Sequence, residues 1–227
     1  MCGRFALYSD PLTLARRFQA EPPSDYGPHF NIAPTQPILM LREKTMQREF
    51  VYARWGLVPH WAKEIKTGYS MINARAETVD QRPAFRSAFH RRRCLIPADG
   101  FYEWQVRSGA KIKQPWFVTL KERQPMALAG LWEVWRSPEG ERLESCTIIV
   151  TDANELMKPI HDRMPVILPP DDWKTWLDPG YCDTVALKSL LRPYPSEEMT
   201  SWPVGTLVNN PRKDTPSCIE AVESVAS

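Results

Sequence analysis

Residues 91–106, RRRCLIPADGFYEWQV, predict two β-strands joined by a tight turn. Apolar and β-prone side chains fill Arg93–Pro97 and Gly100–Val106, and Asp99-Gly100 between them is a typical turn pair. Further strand candidates lie on both sides of this pair, at Pro37–Leu41, Phe50–Trp55, Trp116–Leu120, Ala127–Trp135, Thr147–Thr151 and Pro165–Leu168. Turn signals such as Ser108-Gly109 separate them, so the sequence predicts a mostly antiparallel β core.

The predicted helices are short and lie between or after these strands. Asp10 is a good N-cap for a helix whose first position is Pro11. The other helix candidates are Gln81–Phe89, a short segment from Asp152 to Met157, the WKTWL segment that follows Pro169-Pro170-Asp171-Asp172, and Val185–Leu191. We therefore predict an α+β fold with peripheral short helices.

The chain of 227 residues has no shift in composition that marks a boundary. We therefore expect a single domain over residues 1–227, with residues 215–227 as a tail that frays. Its 22 prolines are scattered along the chain, which is typical of a strand-rich fold with many turns. The formal net charge of +2 favours no class of partner.

The cysteines show neither CxxC pairs nor regular spacing, which argues against a disulfide framework and a zinc site. We expect Cys94, Cys146, Cys182 and Cys218 to be small buried apolar residues. The apolar start Phe5–Tyr8 is too short for a signal-peptide core, and no segment could span a bilayer. These observations predict a cytoplasmic protein without a metal.

An arginine-rich stretch spans residues 82–93 and contains Arg82, Arg86, Arg91, Arg92 and Arg93. It is compatible with a solvated helix face and with a surface that contacts phosphates. The sequence leaves both interpretations open.

Cys2 follows Met1 directly, and removal of Met1 would leave an amine and a thiol on one residue. In unperturbed form the amine titrates near ~7.7–8.0 and the thiol near ~8.5, so both have nucleophilic fractions at neutral pH. Such a 1,2-aminothiol captures aldehydes, because the amine forms an imine that the thiol closes to a thiazolidine. From these two residues alone, a cysteine without function is the simpler interpretation.

Three further motifs carry groups that could do chemistry. Asn73, Arg75 and Glu77 share one face of an extended segment, either as an exposed strand edge or as the lining of a polar pocket. Glu103 lies in an aromatic run, where it is either an ion-pair partner or a general acid–base with a raised pKa. His161, between Ile160 and Asp162, is either structural or catalytic.

Taken in order, the motifs resemble the SRAP (SOS-response-associated peptidase) family of YedK-like abasic-site-processing proteins. The matching segments are MCGRFAL from Met1, FNIAPTQ from Phe30, RWGLVPHW from Arg54, MINARAET from Met71, RRRCLIPADGFYEW from Arg91, and IHDRMPVIL from Ile160. They extend over nearly three-quarters of the chain, and WPVGTLVNNP from Trp202 is similar to the C-terminal segment of the family.

The resemblance implies a fold, a substrate and a set of site residues. The fold is one compact domain with a barrel-like core of mostly antiparallel strands. The substrate is single-stranded DNA with an abasic site, including single-strand/duplex junctions. Cys2 would form a thiazolidine with the ring-opened aldehyde and Asn73 would position it, while Glu103 would act as acid–base and His161 would handle protons on the sugar and assist reversal. Contacts to the DNA are implied for Arg4, Asn31, Arg75, Thr151 and Arg163, for Trp61 as a wedge or stacking residue, and for Pro34 as a lining residue.

The resemblance further implies a lyase-type, crosslinking activity and, in some members, an autoproteolytic peptidase activity that exposes the cysteine. No cofactor is expected, and we expect a monomer that associates with the nucleoid when bound to DNA. Two alternatives of different class stay open. One is a cysteine peptidase with a Cys2/His161 dyad that acts on other proteins, and the other is a single-stranded DNA-binding module without chemistry.

Overall fold

The computed structural model describes residues 2–45, 47–107, 109 and 112–222. Within these residues the strands are β1 (Phe5–Leu7), β2 (His29–Ile32), β3 (Pro37–Lys44), β4 (Gln47–Trp55), β5 (Asn73–Arg75), β6 (Arg93–Ala98), β7 (Gly100–Gln105), β8 (Gln114–Leu120), β9 (Met126–Arg136), β10 (Arg142–Asp152), β11 (Arg163–Pro165) and β12 (Met199–Pro203). The α-helices are α1 (Pro11–Phe18), α2 (Pro83–Arg91), α3 (Pro170–Leu177) and α4 (Thr184–Ser189). Single 3-10 turns or short 3-10 helices cover Ile65–Ser70, Ser196–Glu198, Thr206–Asn209 and Pro216–Cys218.

Five strands close into a barrel. β4 pairs with β3, β3 with β6, β6 with β9 and β9 with β10, all antiparallel, and β10 returns to β4 in parallel. Because the last strand pairs with the first, the ring has no open edge. Apolar side chains fill it so closely that a Cβ on Gly130 would lie 2.9 Å from the sulfur of Cys94.

A second, open sheet packs beside the barrel in the order β12-β8-β7-β1-β2, with antiparallel pairs throughout. β1 is therefore an interior strand of this sheet, although it lies at the start of the chain. The rings of Phe5 on β1 and Trp55 on β4 meet edge to face with 5.2 Å between centroids. This contact joins the open sheet to the barrel and brings the N-terminal strand into the core.

The predicted α+β fold with a barrel-like, mostly antiparallel core is confirmed. The predicted strands of the central region are all present, although β10 begins at Arg142 and β9 extends to Arg136. Helices α1 and α3 begin at Pro11 and Pro170. The sequence analysis missed the short strands β1, β2 and β5 and the late strand β12.

The helix predicted from Asp152 to Met157 is wrong. The amide N–H groups of Met157 and Lys158 both donate to the carbonyl of Asn154, and the Asn154 side chain accepts from Met157 as well, so the segment forms turns. Pro159 has no N–H and disfavours helical backbone in Lys158, which stops a helix from growing. The strand predicted at Pro165–Leu168 is instead Arg163–Pro165, followed by an isolated bridge between Ile167 and Leu128.

One further expectation is corrected by burial. Cys182 is exposed, unlike Cys94, Cys146 and Cys218, which are buried as predicted. In the segment from Thr215, which was expected to fray, Cys218 is buried and the indole of Trp202 donates to the carbonyl of Ile219, whereas Ala221 and Val222 are exposed. The rest of the predicted tail, residues 223–227, lies outside the described residues.

The described part of the chain lacks two features that bear on function. None of its helices is long and apolar enough to cross a membrane. It also holds no cluster of three or more His, Cys, Asp or Glu side chains that could bind a metal ion.

Candidate functional site

Cys2 lies three residues before the start of β1, the strand that runs between β7 and β2 in the open sheet. The amide of Tyr102 donates to the carbonyl of Arg4, so the antiparallel ladder of β1 and β7 continues toward Cys2 and Glu103. Cys2 has no exposed surface. Burial, and next the nearby negative charge of Glu103, raise the pKa of the Cys2 thiol far above its usual range. The thiol is therefore protonated at neutral pH and needs a base before it can act as a nucleophile.

Glu103 is the buried carboxylate beside this thiol. It belongs to β7 and is 2 % exposed. Burial raises its pKa from 4.5 to about 7, although the backbone N–H of Trp104 favours the charged form. A carboxyl group with this pKa is partly protonated and partly ionised at neutral pH, which is the property that a general acid–base requires.

His161 faces Glu103 from the turn before β11. Its Nε2 atom lies 3.9 Å from Oε2 of Glu103. Its Nδ1 atom accepts the backbone N–H of Arg163 at 3.0 Å and lies 2.8 Å from Oδ1 of Asp162. Burial lowers the pKa of His161, so the ring is mainly neutral at pH 7 and keeps one nitrogen that can accept a proton.

Asn73 begins β5, which pairs in parallel with β10 opposite Ile148. The side-chain nitrogen and oxygen of Asn73 are both inaccessible to solvent, and neither has a hydrogen-bond partner among the described residues. Unsatisfied buried amides are rare in proteins because each costs free energy. An amide in this state is suited to binding a group that the protein does not itself supply.

Glu77 and Arg163, from two different motifs, form an ion pair. The guanidinium of Arg163 contacts the carboxylate of Glu77 and lies 3.1 Å from Oδ1 of Asp152. Arg75, two residues before Glu77, is exposed. Arg75 is therefore able to contact a ligand, whereas the carboxylate of Glu77 is engaged in the ion pair with Arg163.

The residues predicted to contact DNA fall into three groups. Trp61 and Arg75 are exposed, and Trp61 shows 54 % of its surface. Arg4, Pro34 and Arg163 are half-buried. Asn31 and Thr151 are buried, and the structure does not bring their side chains to the surface.

The polar atoms of the two buried residues have partners inside the protein. The amide nitrogen of Asn31 donates to the carbonyls of Val208, Asn210 and Lys213, and its oxygen accepts from Arg4. The hydroxyl of Thr151 donates to the carbonyl of Leu191 at 3.3 Å. Through these hydrogen bonds Asn31 links the segment 208–213 to β2.

The sequence analysis overlooked Tyr69, which shows 57 % of its surface. The guanidinium of Arg54 lies over its ring, 5.1 Å from the centroid. A Cβ on Gly68 would lie only 2.4 Å from the carbonyl oxygen of Gly56, so the 3-10 helix Ile65–Ser70 packs directly against the end of β4. The glycine spacing alone does not reveal this contact, because it depends on how the chain folds back.

The arginine-rich stretch divides into structural and exposed members. Arg93 is buried and donates to five backbone carbonyls, those of Phe89, His90, Trp176, Asp178 and Tyr181. Arg92 pairs with Glu133 at 2.8 Å. Arg82, Arg86 and Arg91 are exposed around α2, so only these three fit a solvated face or a phosphate-contacting surface.

Comparisons with known proteins identify the family of this chain and relatives that share its length and fold. A family model described as SOS response associated peptidase (SRAP) matches residues 1–211. The chain is 46 % identical over 224 residues to a protein of Bacillus subtilis named "Abasic site processing protein YoqW", with 97 % of this chain and 100 % of that protein covered. It is 32 % identical over 268 residues to "Abasic site processing protein HMCES" of Rattus norvegicus, with 96 % of this chain and 75 % of that protein covered. A crystal structure of a protein from Bacteroides thetaiotaomicron superposes with a TM-score of 0.87 at 23 % identity, covering 97 % of this chain and 100 % of that one, which supports the fold.

Proposed function

Because the chain belongs to the SOS response associated peptidase family, we propose that it processes abasic sites in single-stranded DNA by forming a covalent adduct through Cys2. The observation that carries the proposal is the convergence of three groups at one place. The Cys2 thiol, the Glu103 carboxyl with a pKa of about 7 and the neutral ring of His161 come from three distant parts of the chain.

The chemistry begins once Met1 has been removed and Cys2 carries a free α-amine. The ring-opened sugar of an abasic site presents an aldehyde. The amine nitrogen attacks the aldehyde carbon, and the resulting carbinolamine loses water to form an imine. The thiol sulfur then adds to the imine carbon, its proton passes to the nitrogen, and a five-membered thiazolidine results. One water is released in all.

Each step moves a proton, and Glu103 is suited to that task. Protonated Glu103 can donate to the departing hydroxyl of the carbinolamine, and ionised Glu103 can accept the proton of the buried thiol. Since the pKa of Glu103 is about 7, both forms are present under the same conditions. His161, 3.9 Å from Glu103, can accept a proton from it or from the sugar hydroxyl.

The surroundings provide the binding contacts. Exposed Trp61 offers a face on which a base can stack, and such contacts contribute roughly 1–3 kcal/mol per base. Arg75, and Arg4 and Arg163 at the margin of the site, are cations that can contact phosphates. The buried amide of Asn73 lacks partners among the described residues and can orient the Cys2 amine or the sugar. A missing base leaves a gap in the stack, so the lesion enters without the cost of flipping an intact base.

Intact-mass spectrometry tests the covalent step. The protein is mixed with a single-stranded oligonucleotide that carries one abasic site, and we expect a species at the summed mass less one water. Cys2→Ala should abolish it, whereas Cys182→Ala, which removes an exposed cysteine, should retain it. Adduct formation by Cys2→Ala would refute the assignment of Cys2. A variant with extra residues that block the Cys2 amine separates the thiazolidine from a simple thiol adduct, because only the latter forms without a free amine.

A peptide-cleavage assay tests the peptidase alternative, and the same mass spectra test the binding-module alternative. A peptidase with a Cys2/His161 dyad would cleave unrelated peptides in trans, and we expect no cleavage. A module without chemistry would bind the oligonucleotide and yield only the two separate masses.

A further inference from the structure

Trp61 lies in the loop after β4. The residues on either side of it, His60 and Ala62, contact β9, which forms part of the barrel wall. The indole Nε1 of Trp135 donates to the carbonyl of Ala62 at 2.7 Å. On the other side of Trp61, Nδ1 of His60 lies 3.3 Å from Oε2 of Glu133.

The two residues of β9 that make these contacts, Trp135 and Glu133, are buried. Trp135 is 6 % exposed and Glu133 is 5 % exposed. Oε2 of Glu133 also accepts from the guanidinium of Arg92 at 2.8 Å, and its Oε1 accepts the N–H of Val134. Arg92 therefore has a role that its place in the arginine-rich stretch does not indicate. Its guanidinium neutralises the carboxylate of Glu133 beneath the loop.

The start of the same loop is fixed as well. The N–H of Val58 donates to the hydroxyl of Ser145 on β10 at 2.8 Å, and both residues are buried. The backbone is therefore hydrogen-bonded to the barrel at Val58 and Ala62, and the side chain of His60 contacts Glu133, while the ring of Trp61 stays exposed. A backbone held in this way loses little conformational entropy when a ligand stacks on its side chain.

We infer that Trp135, together with the Arg92–Glu133 pair, is a positioning residue that fixes the loop backbone so that Trp61 presents its ring to a nucleobase beside the lesion. The inference rests on the proposed function, since it assigns Trp61 to DNA binding. Trp135 does not touch the DNA, and its effect is transmitted through Ala62 to Trp61. It follows that removal of the Trp135 hydrogen bond weakens DNA binding only while Trp61 is present.

A double-mutant cycle tests this coupling. Trp135→Phe removes the donor and keeps an aromatic ring, and it is compared in the presence and absence of Trp61→Ala. Reversible affinity is measured for a single-stranded oligonucleotide whose abasic site is reduced to the alcohol, so that no aldehyde is available for covalent capture. Trp173→Phe is the matched control, because its indole donates to the carbonyl of Leu168 at 2.8 Å from α3 and holds no residue of the Trp61 loop.

We expect Trp61→Ala to weaken binding about 5- to 100-fold, the range that corresponds to the stacking of one base. Trp135→Phe should weaken it about 2- to 10-fold, as expected for freeing one ordered side chain, and should have no further effect once Trp61 is Ala. Trp173→Phe should leave the affinity unchanged. Equal losses from Trp135→Phe with and without Trp61 would overturn the inference, because they indicate a general structural role.

Two outcomes separate this inference from the proposed function. If Trp61→Ala leaves the affinity unchanged while the protein with Cys2 forms the adduct, the positioning role is refuted and the covalent chemistry stands. If no adduct forms but the cycle shows coupling, the positioning role stands and the covalent chemistry is refuted.

Discussion

Replacing Glu103 by Gln should stabilise the protein at alkaline pH while it impairs the proposed chemistry. In the unfolded chain Glu103 ionises above its usual pKa of 4.5, whereas in the fold its pKa is about 7. The folded state therefore binds more protons than the unfolded state between these pH values, and stability falls as the pH rises through that window. Since each pH unit corresponds to about 1.4 kcal/mol, ionised Glu103 destabilises the fold by about 3 kcal/mol at pH 8.

Glutamine has the shape of protonated glutamate and does not titrate. The free energy of unfolding of Glu103→Gln, measured by urea denaturation, should match that of the unchanged protein near pH 4.5 and exceed it by about 3 kcal/mol at pH 8. The matched control is Glu122→Gln, which alters a carboxylate on the surface and should give no such pH-dependent difference. Equal stabilities of Glu103→Gln and the unchanged protein at pH 8 would show that burial does not raise the pKa of Glu103. In the mass-spectrometric assay, the stabilised variant should form the adduct more slowly.

Three other changes probe the fold and the interface. Gly100→Ala should lower the free energy of unfolding by about 1–3 kcal/mol, because its Cβ would lie 2.2 Å from the ring of Phe117. Gly27→Ala, whose Cβ meets no atom within 4 Å, is the control. Equal urea midpoints for the two variants would contradict the close approach to Phe117. Asn31→Ala should cost about 1–3 kcal/mol and speed hydrogen exchange in residues 208–213, so unaltered exchange there would remove Asn31 from its anchoring role. The affinity for single-stranded DNA should fall as salt rises, and a flat dependence in fluorescence anisotropy would argue against arginine contacts with phosphates.

Local patterns were sufficient for the long strands and the capped helices. The strands of the barrel carry apolar, β-prone residues between turn signals, α1 and α3 begin at prolines, and Asp10 caps α1. Short strands gave no such pattern. β1 and β5 have three residues each, too few for alternation to be visible, and they become strands because the sheet beside them offers free hydrogen-bonding groups. The helix predicted before Met157 failed because Asn154 and Pro159 impose turns there.

The candidate site was predicted as a set of residues and not as an arrangement. The buried carboxylate at Glu103 could be expected from its aromatic neighbours, and its raised pKa follows from that burial. The burial of Asn31 and Thr151 could not be expected, because their partners, the carbonyls of Val208 and Leu191, lie 177 and 40 residues away in the chain. The exposed ring of Tyr69 depends on the contact between two distant glycines and is likewise invisible in the sequence.

The interior position of β1 bears on when Met1 could be removed from the nascent chain. An aminopeptidase that removes Met1 needs an extended, accessible terminus, and Cys2 is fully covered once β1 is enclosed between β2 and β7. Since β7 ends at Gln105 and ribosomes add about 5–20 residues per second, that partner strand is not synthesised until about 5–20 s after initiation. If an aminopeptidase removes Met1, it therefore acts before β7 covers this part of the chain. If β1 is enclosed first, the Met1–Cys2 bond has to be cleaved within the fold, as the autoproteolytic route requires.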